Sequence, residues 1–274
     1  TITKINDDTF WVVSSGAAEG FQQRFFNLIE LDEDTKFTSK TNDYCGFNVA
    51  GPKSRDLLQR LSNKDLSKEA WPFFKSGSLA IAGIECMAMR VSFTGDLGWE
   101  LYCDEHDQLA LYEVLIKSAS QIGGGPVGSR ALMSLRLEKG YGSWGREYSP
   151  EYWPHEVGLE RLISNKPDFI NKDKVTDVLS QPAREKLVVL KLNEADVLRS
   201  NADALGGEPI FKDGKGVGRV TSGGYGYSVD MSLALGFVKG LESGEEVDVM
   251  VLGKPHRAII LNEPPFDPEN SILR

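Results

Sequence analysis

The most informative stretch of this sequence is Arg90-Val91-Ser92-Phe93-Thr94-Gly95-Asp96-Leu97-Gly98-Trp99-Glu100-Leu101-Tyr102. Apolar residues alternate with others on both sides of Thr94-Gly95-Asp96, which favours two β-strands joined by a tight glycine turn. Such a hairpin would place Phe93 beside Glu100. A carboxylate accepts two parallel N–H donors, from an arginine or from the 2-amino-pyrimidinone edge of a pterin. Taken alone, these residues are compatible with two interpretations. One is a structural Arg–Glu pair with Phe93 in the core, and the other is a pterin-binding site.

Working outward from this stretch, hydrophobic periodicity predicts an α+β fold followed by a mostly β region. Strands are expected over residues 9–14, 45–50 and 78–103, with a further tight turn at Gly83, and helices over 16–31, 54–61, 104–122 and 129–139. Short strands are expected over 186–192, 216–221, 233–238, 247–252 and 256–261, which is typical of a small barrel or sandwich. We predict an α+β region over residues 1–183, in two subdomains, and a C-terminal β-barrel domain over 184–274.

The composition argues against several classes of function. With 31 Lys and Arg against 40 Asp and Glu, the net charge is −9, so nucleic acid is not an expected partner. No apolar stretch approaches membrane-spanning length, and the N-terminus lacks the features of a signal peptide. We expect a soluble protein of the cytoplasm, or of the mitochondrial matrix if it is eukaryotic.

The sequence has no recognisable nucleotide, metal or nucleophile motif. No GxGxxG or GxxxxGK[ST] string occurs. The histidines are scattered, so no metal site is expected, and each should lie on the surface or have its hydrogen bonds satisfied. The cysteines are expected to be buried reduced thiols. The three histidines are His106, His155 and His256, and the three cysteines are Cys45, Cys86 and Cys103.

A second stretch, Ser134-Leu135-Arg136-Leu137-Glu138-Lys139-Gly140-Tyr141-Gly142-Ser143-Trp144-Gly145-Arg146-Glu147, combines cations with aromatic rings. With Arg130 before it, Arg136 and Lys139 could help to bind an anionic tail. Tyr141 and Trp144 offer flat surfaces for an aromatic ligand. Ordinary helix-surface charges and packing tryptophans explain the same residues, so this pattern also leaves two readings open.

Four strings, taken together and in order, resemble the glycine-cleavage T-protein (aminomethyltransferase) family. SFTGDLGWELY resembles its S-Y-T-G-E-x-G-[FW]-E signature. LRLEKGYGSWGREYSPEYWPHEVGLERLI is similar to the L-R-[LM]-E-K-x-[YF]-x-x-W-G stretch of the dimethylglycine and sarcosine dehydrogenase branch. GRVTSGGYGYSVDMSLALGFV and EPPFDPENSILR resemble the family's G-x-[VT]-T-S-G segment and its usual end. The likeness runs from Thr1 to Arg274, above all to the C-terminal folate-binding region of those dehydrogenases.

This resemblance implies a three-lobed folate-binding fold with a C-terminal β-barrel or sandwich domain. Glu100 stands where the family's pterin-binding glutamate stands, and Phe93 where the family usually has tyrosine, so one hydroxyl is lost. Tyr141 and Trp144 occupy the aromatic positions after the L-R-x-E helix. Arg130 stands near the family's ligand-binding arginine, although the spacing to the L-R pair is longer here.

The resemblance also implies a reaction. Thr1-Ile2-Thr3 resembles the end of a D-L-x-V/I-T string, so Thr1 is expected to contact the ligand and the catalytic aspartate to lie before residue 1. The implied activity is transfer of a methylene group from an amine-derived iminium or aminomethyl donor to tetrahydrofolate, giving 5,10-methylenetetrahydrofolate. A flavoprotein dehydrogenase domain or subunit is the implied partner. Alternatives are a non-catalytic folate-binding module, or a demethylase that produces 5-methyltetrahydrofolate.

Overall fold

The computed structural model describes residues 1–29, 33–164, 166 and 169–274. Its contacts divide the chain into two compact units. The first unit comprises Thr1–Gly128 together with Glu269–Arg274, and the second comprises Ser129–Pro268. The predicted domain boundary near residue 184 stays a prediction.

The first unit is built from short strands and three helices. In chain order these are β1 (Ile2–Lys4), β2 (Phe10–Val12), α1 (Glu19–Leu28), β3 (Tyr44–Ala50), α2 (Ser54–Gln59), β4 (Ser76–Ile81), β5 (Ile84–Met89), β6 (Gly98–Asp104) and α3 (Gln108–Ser120). The predicted strands and helices of this part are confirmed within a few residues. The last two positions of the helix expected over 16–31 lie outside the described residues.

An antiparallel sheet of four strands, in the order β3-β6-β5-β4, organises the first unit. Alternate side chains of a strand point to opposite faces. On one face Trp99, Leu101 and Cys103 are buried with apolar residues of α2 and α3 in a single core. On the other face Glu100 and Tyr102 are only half-buried. We call this second surface the open face of the sheet.

The two connections between β4, β5 and β6 differ. Ala82 and Gly83 join β4 to β5 with φ values of 50° and 87°, the left-handed pair of a tight hairpin turn, as predicted. The tight turn expected at Thr94-Gly95-Asp96 is wrong, because residues 90–97 form a wider loop between β5 and β6. Buried Arg90 donates to the carbonyls of Gly98 (3.0 Å) and Leu273 (2.7 Å), and so takes a carbonyl that a continuing strand pair could have used.

The second unit combines three helices with the remaining strands. In chain order these are α4 (Ser129–Glu138), α5 (Lys172–Ser180), β7 (Lys186–Leu192), α6 (Glu194–Ser200), β8 (Pro209–Lys212), β9 (Lys215–Gly226), β10 (Met231–Val238), β11 (Glu246–Val251) and β12 (Lys254–Ile260). The five predicted strands are all present. The sequence reading missed β8, α5 and α6.

The six strands of the second unit close into an antiparallel barrel in the order β10-β7-β12-β11-β8-β9. Its interior is filled by apolar side chains such as Leu190, Ile210 and Val249, all fully buried. The α+β class with a C-terminal barrel is therefore confirmed. The longest helix of the described residues, α3, has 13 residues, and none of the helices described is both long and apolar enough to cross a membrane.

Candidate binding site

A row of side chains crosses the open face of the four-stranded sheet. Asn48 of β3 lies opposite Glu100 of β6, Glu100 lies opposite Met89 of β5, and Met89 lies opposite Ser76 of β4. Directly opposed residues of an antiparallel pair project from the same face and have neighbouring Cβ atoms. The strand pairing therefore places Glu100 between an amide and a thioether, with the Ser76 hydroxyl one strand further along the row.

Glu100 keeps free acceptor capacity in this row. The Tyr102 hydroxyl donates to Glu100 Oε2 at 2.8 Å. Among the described residues, no Lys, Arg or His forms an ion pair with Glu100, so the internal Arg–Glu reading of the sequence is not supported. Burial, then the charge and hydrogen bond of Glu100, raises the pKa of Tyr102, so this phenol stays protonated and remains a donor.

The Tyr102 ring itself is fixed by its neighbours. Gly46 lies opposite Tyr102 on β3, and a Cβ built at Gly46 would stand 3.0 Å from the ring carbon Cε1. The Trp11 ring of β2 lies with its centroid 6.0 Å from that of Tyr102 and packs edge-on against Tyr44. The donor to Glu100 is therefore held by the sheet and by the β1–β2 hairpin.

A cavity of about 340 Å³ opens at the Met89–Ser76 end of the row. It is lined by Thr1, Ile2, Thr3, Lys4, Phe74, Ser76, Met89 and Val91. The Thr3 hydroxyl donates to Met89 Sδ at 3.0 Å and joins the hairpin to the sheet. Since Met89 is the cross-strand neighbour of Glu100, the cavity begins one residue away from the carboxylate. Its volume lies in the range of small-molecule sites.

The predicted residues of the first unit are thus only partly brought together. Thr1 lines the cavity next to the Glu100 row. Phe93 is half-buried in the loop over residues 90–97, so the hairpin expected to set it beside Glu100 does not exist. Its role in ligand binding stays a prediction.

Sequence reasoning missed several residues of this face. Tyr102 could have been found, because it lies two residues from Glu100 in one strand and must share its face. Asn48, Phe74 and Ser76 could not, since their proximity depends on which distant strands pair and in which register.

In the second unit, Tyr141 and Trp144 lie on one loop that follows α4. Gly140, with φ of 67°, ends the helix, and the Tyr141 N–H donates back to Arg136 O at 2.9 Å. Trp144 is 37% exposed and Tyr141 is half-buried, with its pKa raised by burial. Arg130 is exposed on the first turn of α4. The two aromatic residues are therefore presented by a single short segment.

Arg136 and Lys139 do not behave as helix-surface charges or as tail-binding cations. Arg136 is fully buried and paired with Glu147. Lys139 is 2% exposed; it donates to the Asp267 backbone carbonyl and forms an ion pair with the carboxylate of the same residue at 3.4 Å. The tail-binding reading is therefore wrong for both cations, and the helix-surface reading is wrong for Arg136, because both charges are satisfied inside the second unit.

The cysteines are free thiols, as expected, but only Cys86 and Cys103 are buried, while Cys45 is half-buried. Among the described residues, no cluster of His, Cys, Asp or Glu could hold a metal ion. His106 is exposed and bonded to Asp104. His256 is 1% exposed, and neither ring nitrogen has a hydrogen-bond partner in the part of the chain that the structure describes, so the expectation that it is satisfied or on the surface is wrong. Burial lowers the pKa of His256 and keeps the ring neutral at neutral pH.

With this geometry established, comparison with known proteins gives the class. Residues 1–166 match the family model described as the GCVT N-terminal domain, and residues 186–267 match the glycine cleavage T-protein C-terminal barrel domain. The chain therefore belongs to the glycine-cleavage T-protein family.

Two relatives indicate the branch. The chain is 38% identical to mitochondrial dimethylglycine dehydrogenase of Homo sapiens over 270 residues, which cover 96% of the chain and 31% of that protein. It is 28% identical to mitochondrial sarcosine dehydrogenase of Mus musculus over 281 residues, covering 97% and 30%. The chain thus spans about a third of the length of these relatives.

A solved structure supports the fold. The glycine cleavage system aminomethyltransferase T from Bartonella henselae superimposes with a TM-score of 0.71 at 23% identity, covering 82% of this chain and 60% of that one. At this identity the likeness concerns the fold alone. The aminomethyltransferase-type fold expected from the resemblance is confirmed.

Proposed function

We propose that this chain binds tetrahydrofolate, with Glu100 as the anchor of the pterin ring. The observation that carries the proposal is a half-buried carboxylate with no cationic partner among the described residues, one residue from a cavity of about 340 Å³. Partial burial of an unpaired carboxylate costs free energy unless donors reach it. The two parallel N–H groups of a 2-amino-pyrimidinone supply such donors.

The two carboxylate oxygens of Glu100 have the acceptor capacity that a pterin edge needs. Oε2 accepts the Tyr102 hydroxyl, and no hydrogen bond to Oε1 is found within the described residues. Asn48, directly opposite, adds an amide that can both donate and accept. The open face therefore has the acceptors and the donor that the polar edge of a pterin requires.

The remaining predicted residues are assigned by the family resemblance. Phe93, Tyr141 and Trp144 would cover the apolar faces of the ring system, and Thr1 would contact it from the cavity wall. Arg130, exposed on α4, would meet the anionic tail.

For the reaction, we propose that folate bound to the chain accepts a methylene group from an amine-derived iminium or an aminomethyl donor. The carbon becomes bonded to N5 and N10 of the folate, the donor's bond to nitrogen breaks, and the released amine takes up the protons lost from N5 and N10, with 5,10-methylenetetrahydrofolate as the product. Bound tetrahydrofolate supplies the nucleophilic nitrogen. Glu100 and the aromatic residues orient the ring and shield the reactive carbon from water, which would otherwise release it as formaldehyde.

We further propose a flavoprotein dehydrogenase domain or subunit as the partner that delivers the iminium. The support is that the two dehydrogenase relatives contain a region similar to this chain within a protein about three times as long. Because both of these relatives are mitochondrial proteins, we propose a mitochondrial matrix location if the protein is eukaryotic, and a cytoplasmic one otherwise.

Binding is tested by titration calorimetry with 5-formyltetrahydrofolate, an air-stable reduced folate. Glu100→Ala should weaken binding at least about tenfold, equivalent to roughly 1.4 kcal/mol. The matched control is Glu85→Ala, which removes an exposed carboxylate from the same face of the same sheet. Unchanged affinity in a folded Glu100→Ala protein would reject the anchor.

Product analysis decides among the activities. Formation of 5,10-methylenetetrahydrofolate from an iminium donor supports the proposed reaction. Formation of 5-methyltetrahydrofolate would indicate the demethylase, and tight binding without turnover would indicate a non-catalytic module.

A further inference from the structure

A buried polar network within the second unit connects α4, strand β9 and the loop over residues 141–148, which carries Tyr141 and Trp144 and is called the aromatic loop. Its centre is Glu147, fully buried, which accepts five hydrogen bonds. Oε1 accepts the hydroxyls of Thr221 (2.6 Å) and Ser222 (2.5 Å). Oε2 accepts Ser143 N (2.8 Å), Ser143 Oγ (3.3 Å) and Arg136 Nη1 (3.2 Å). Thus both carboxylate oxygens are saturated.

Glu147 stays ionised in this network although it is buried. Burial by itself would raise the pKa of Glu147, but the Ser143 backbone, the two β9 hydroxyls and the charge of Arg136 outweigh it and hold the pKa below its usual range. Arg136 also donates to Ser222 Oγ at 2.7 Å. A carboxylate and a guanidinium buried together in this way keep each other charged.

The same two residues hold the backbone of the aromatic loop. Arg136 Nη1 donates to Tyr141 O at 2.8 Å, and Glu147 receives the Ser143 N–H. Gly142, between these two points, has no room for a side chain, since a Cβ there would stand 2.7 Å from Glu147 Cβ. The backbone on each side of Gly142 is therefore fixed by the buried pair.

Trp144 follows directly after the anchored Ser143. On its other side, Gly145 N donates to Tyr148 O at 2.8 Å. The tryptophan therefore lies between two tethered residues, although its own side chain is 37% exposed. An exposed aromatic ring on a backbone held by hydrogen bonds on both sides is suited to contacting a ligand rather than to filling a core.

We propose that Arg136 and Glu147 act as a positioning pair, which holds Tyr141 and Trp144 in the orientation needed to cover bound reduced folate. This inference rests on the proposed function. Neither residue is placed in contact with the ligand, and each acts through the loop backbone.

The test compares Glu147→Gln with Glu156→Gln, and Thr221→Val is a milder second variant if the first fails to fold. Glu156 is a matched control, because it is also buried and hydrogen-bonded but holds Trp153 and Arg184 instead. Amide hydrogen exchange without ligand reports the loop, and calorimetry with 5-formyltetrahydrofolate reports binding.

In Glu147→Gln, amides of residues 141–148 should exchange at least about tenfold faster while the barrel strands are unchanged, and affinity should fall at least about tenfold. Thr221→Val should show the same pattern with a smaller change. Glu156→Gln should leave affinity within about twofold.

The outcomes are separable. Unchanged loop exchange in Glu147→Gln would overturn the positioning role, and so would a freed loop with unchanged affinity. If the wild-type chain binds no reduced folate, the proposed function fails, while the exchange data still decide whether Glu147 holds the loop.

Discussion

Glu100 and Glu147 belong to different units, and their carboxylates meet opposite surroundings. Glu147 is fully buried and accepts five hydrogen bonds from its own chain, one of them from a cation. Glu100 is half-buried, accepts the Tyr102 hydroxyl, and has no cationic partner among the described residues. A carboxylate saturated internally contributes to structure, whereas one left with open acceptors at a cavity is available to a ligand.

The largest effect should follow from breaking the saturated pair. Arg136→Met leaves the Glu147 carboxylate buried without its cation, and we expect unfolding to become easier by about 3–5 kcal/mol. Urea denaturation measures this, with Arg146→Met as the control because Arg146 is exposed in the same segment. A loss below about 1 kcal/mol would mean that the pair is not a structural element.

Glu156, a third carboxylate, should make the stability of the protein depend on pH. The Arg184 side chain, chiefly by hydrogen bonding, lowers the pKa of Glu156 from 4.5 to about 2. Because the pKa is lower in the folded state, the stabilisation is complete above about pH 4.5 and is lost as the pH falls towards 2.

Because Arg184 is largely exposed, we expect its interaction with Glu156 to stabilise the folded state by only about 1–2 kcal/mol. Denaturation at a series of pH values should show wild type losing this stability as the pH falls from about 4.5 to about 2, and Glu156→Gln losing less. Parallel curves for the two proteins would contradict the assignment.

The smallest effect on folding should come from the unsaturated site. Glu100→Gln keeps an acceptor for Tyr102, so the free energy of unfolding should change by less than about 0.5 kcal/mol, while folate affinity falls. Loss of stability above about 1 kcal/mol would assign Glu100 to the structural class and remove the contrast with Glu147.

Local sequence determined much of the fold. Alternation along β6 and β7, the Ala82-Gly83 and Lys212-Asp213-Gly214 turns, and the Asp104 cap before α3 all act within a few residues, and each is present. The exception is the connection over residues 90–97. There Arg90 bonds to the distant Leu273, and no local pattern signals such a contact.

The sequence by itself determined the family, the α+β class with its barrel, and the identity of Glu100 as the residue to test, because these depend on ordered motifs and on period-two and helical patterns. Only the tertiary structure decided which carboxylates and cations are free. Strand register places Asn48, Met89 and a cavity next to Glu100. The tertiary fold brings the hydroxyls of Thr221 and Ser222 within hydrogen-bond distance of Glu147. Hydrogen-bond saturation depends on residues far apart in the chain, and for that reason it could not be derived from local sequence.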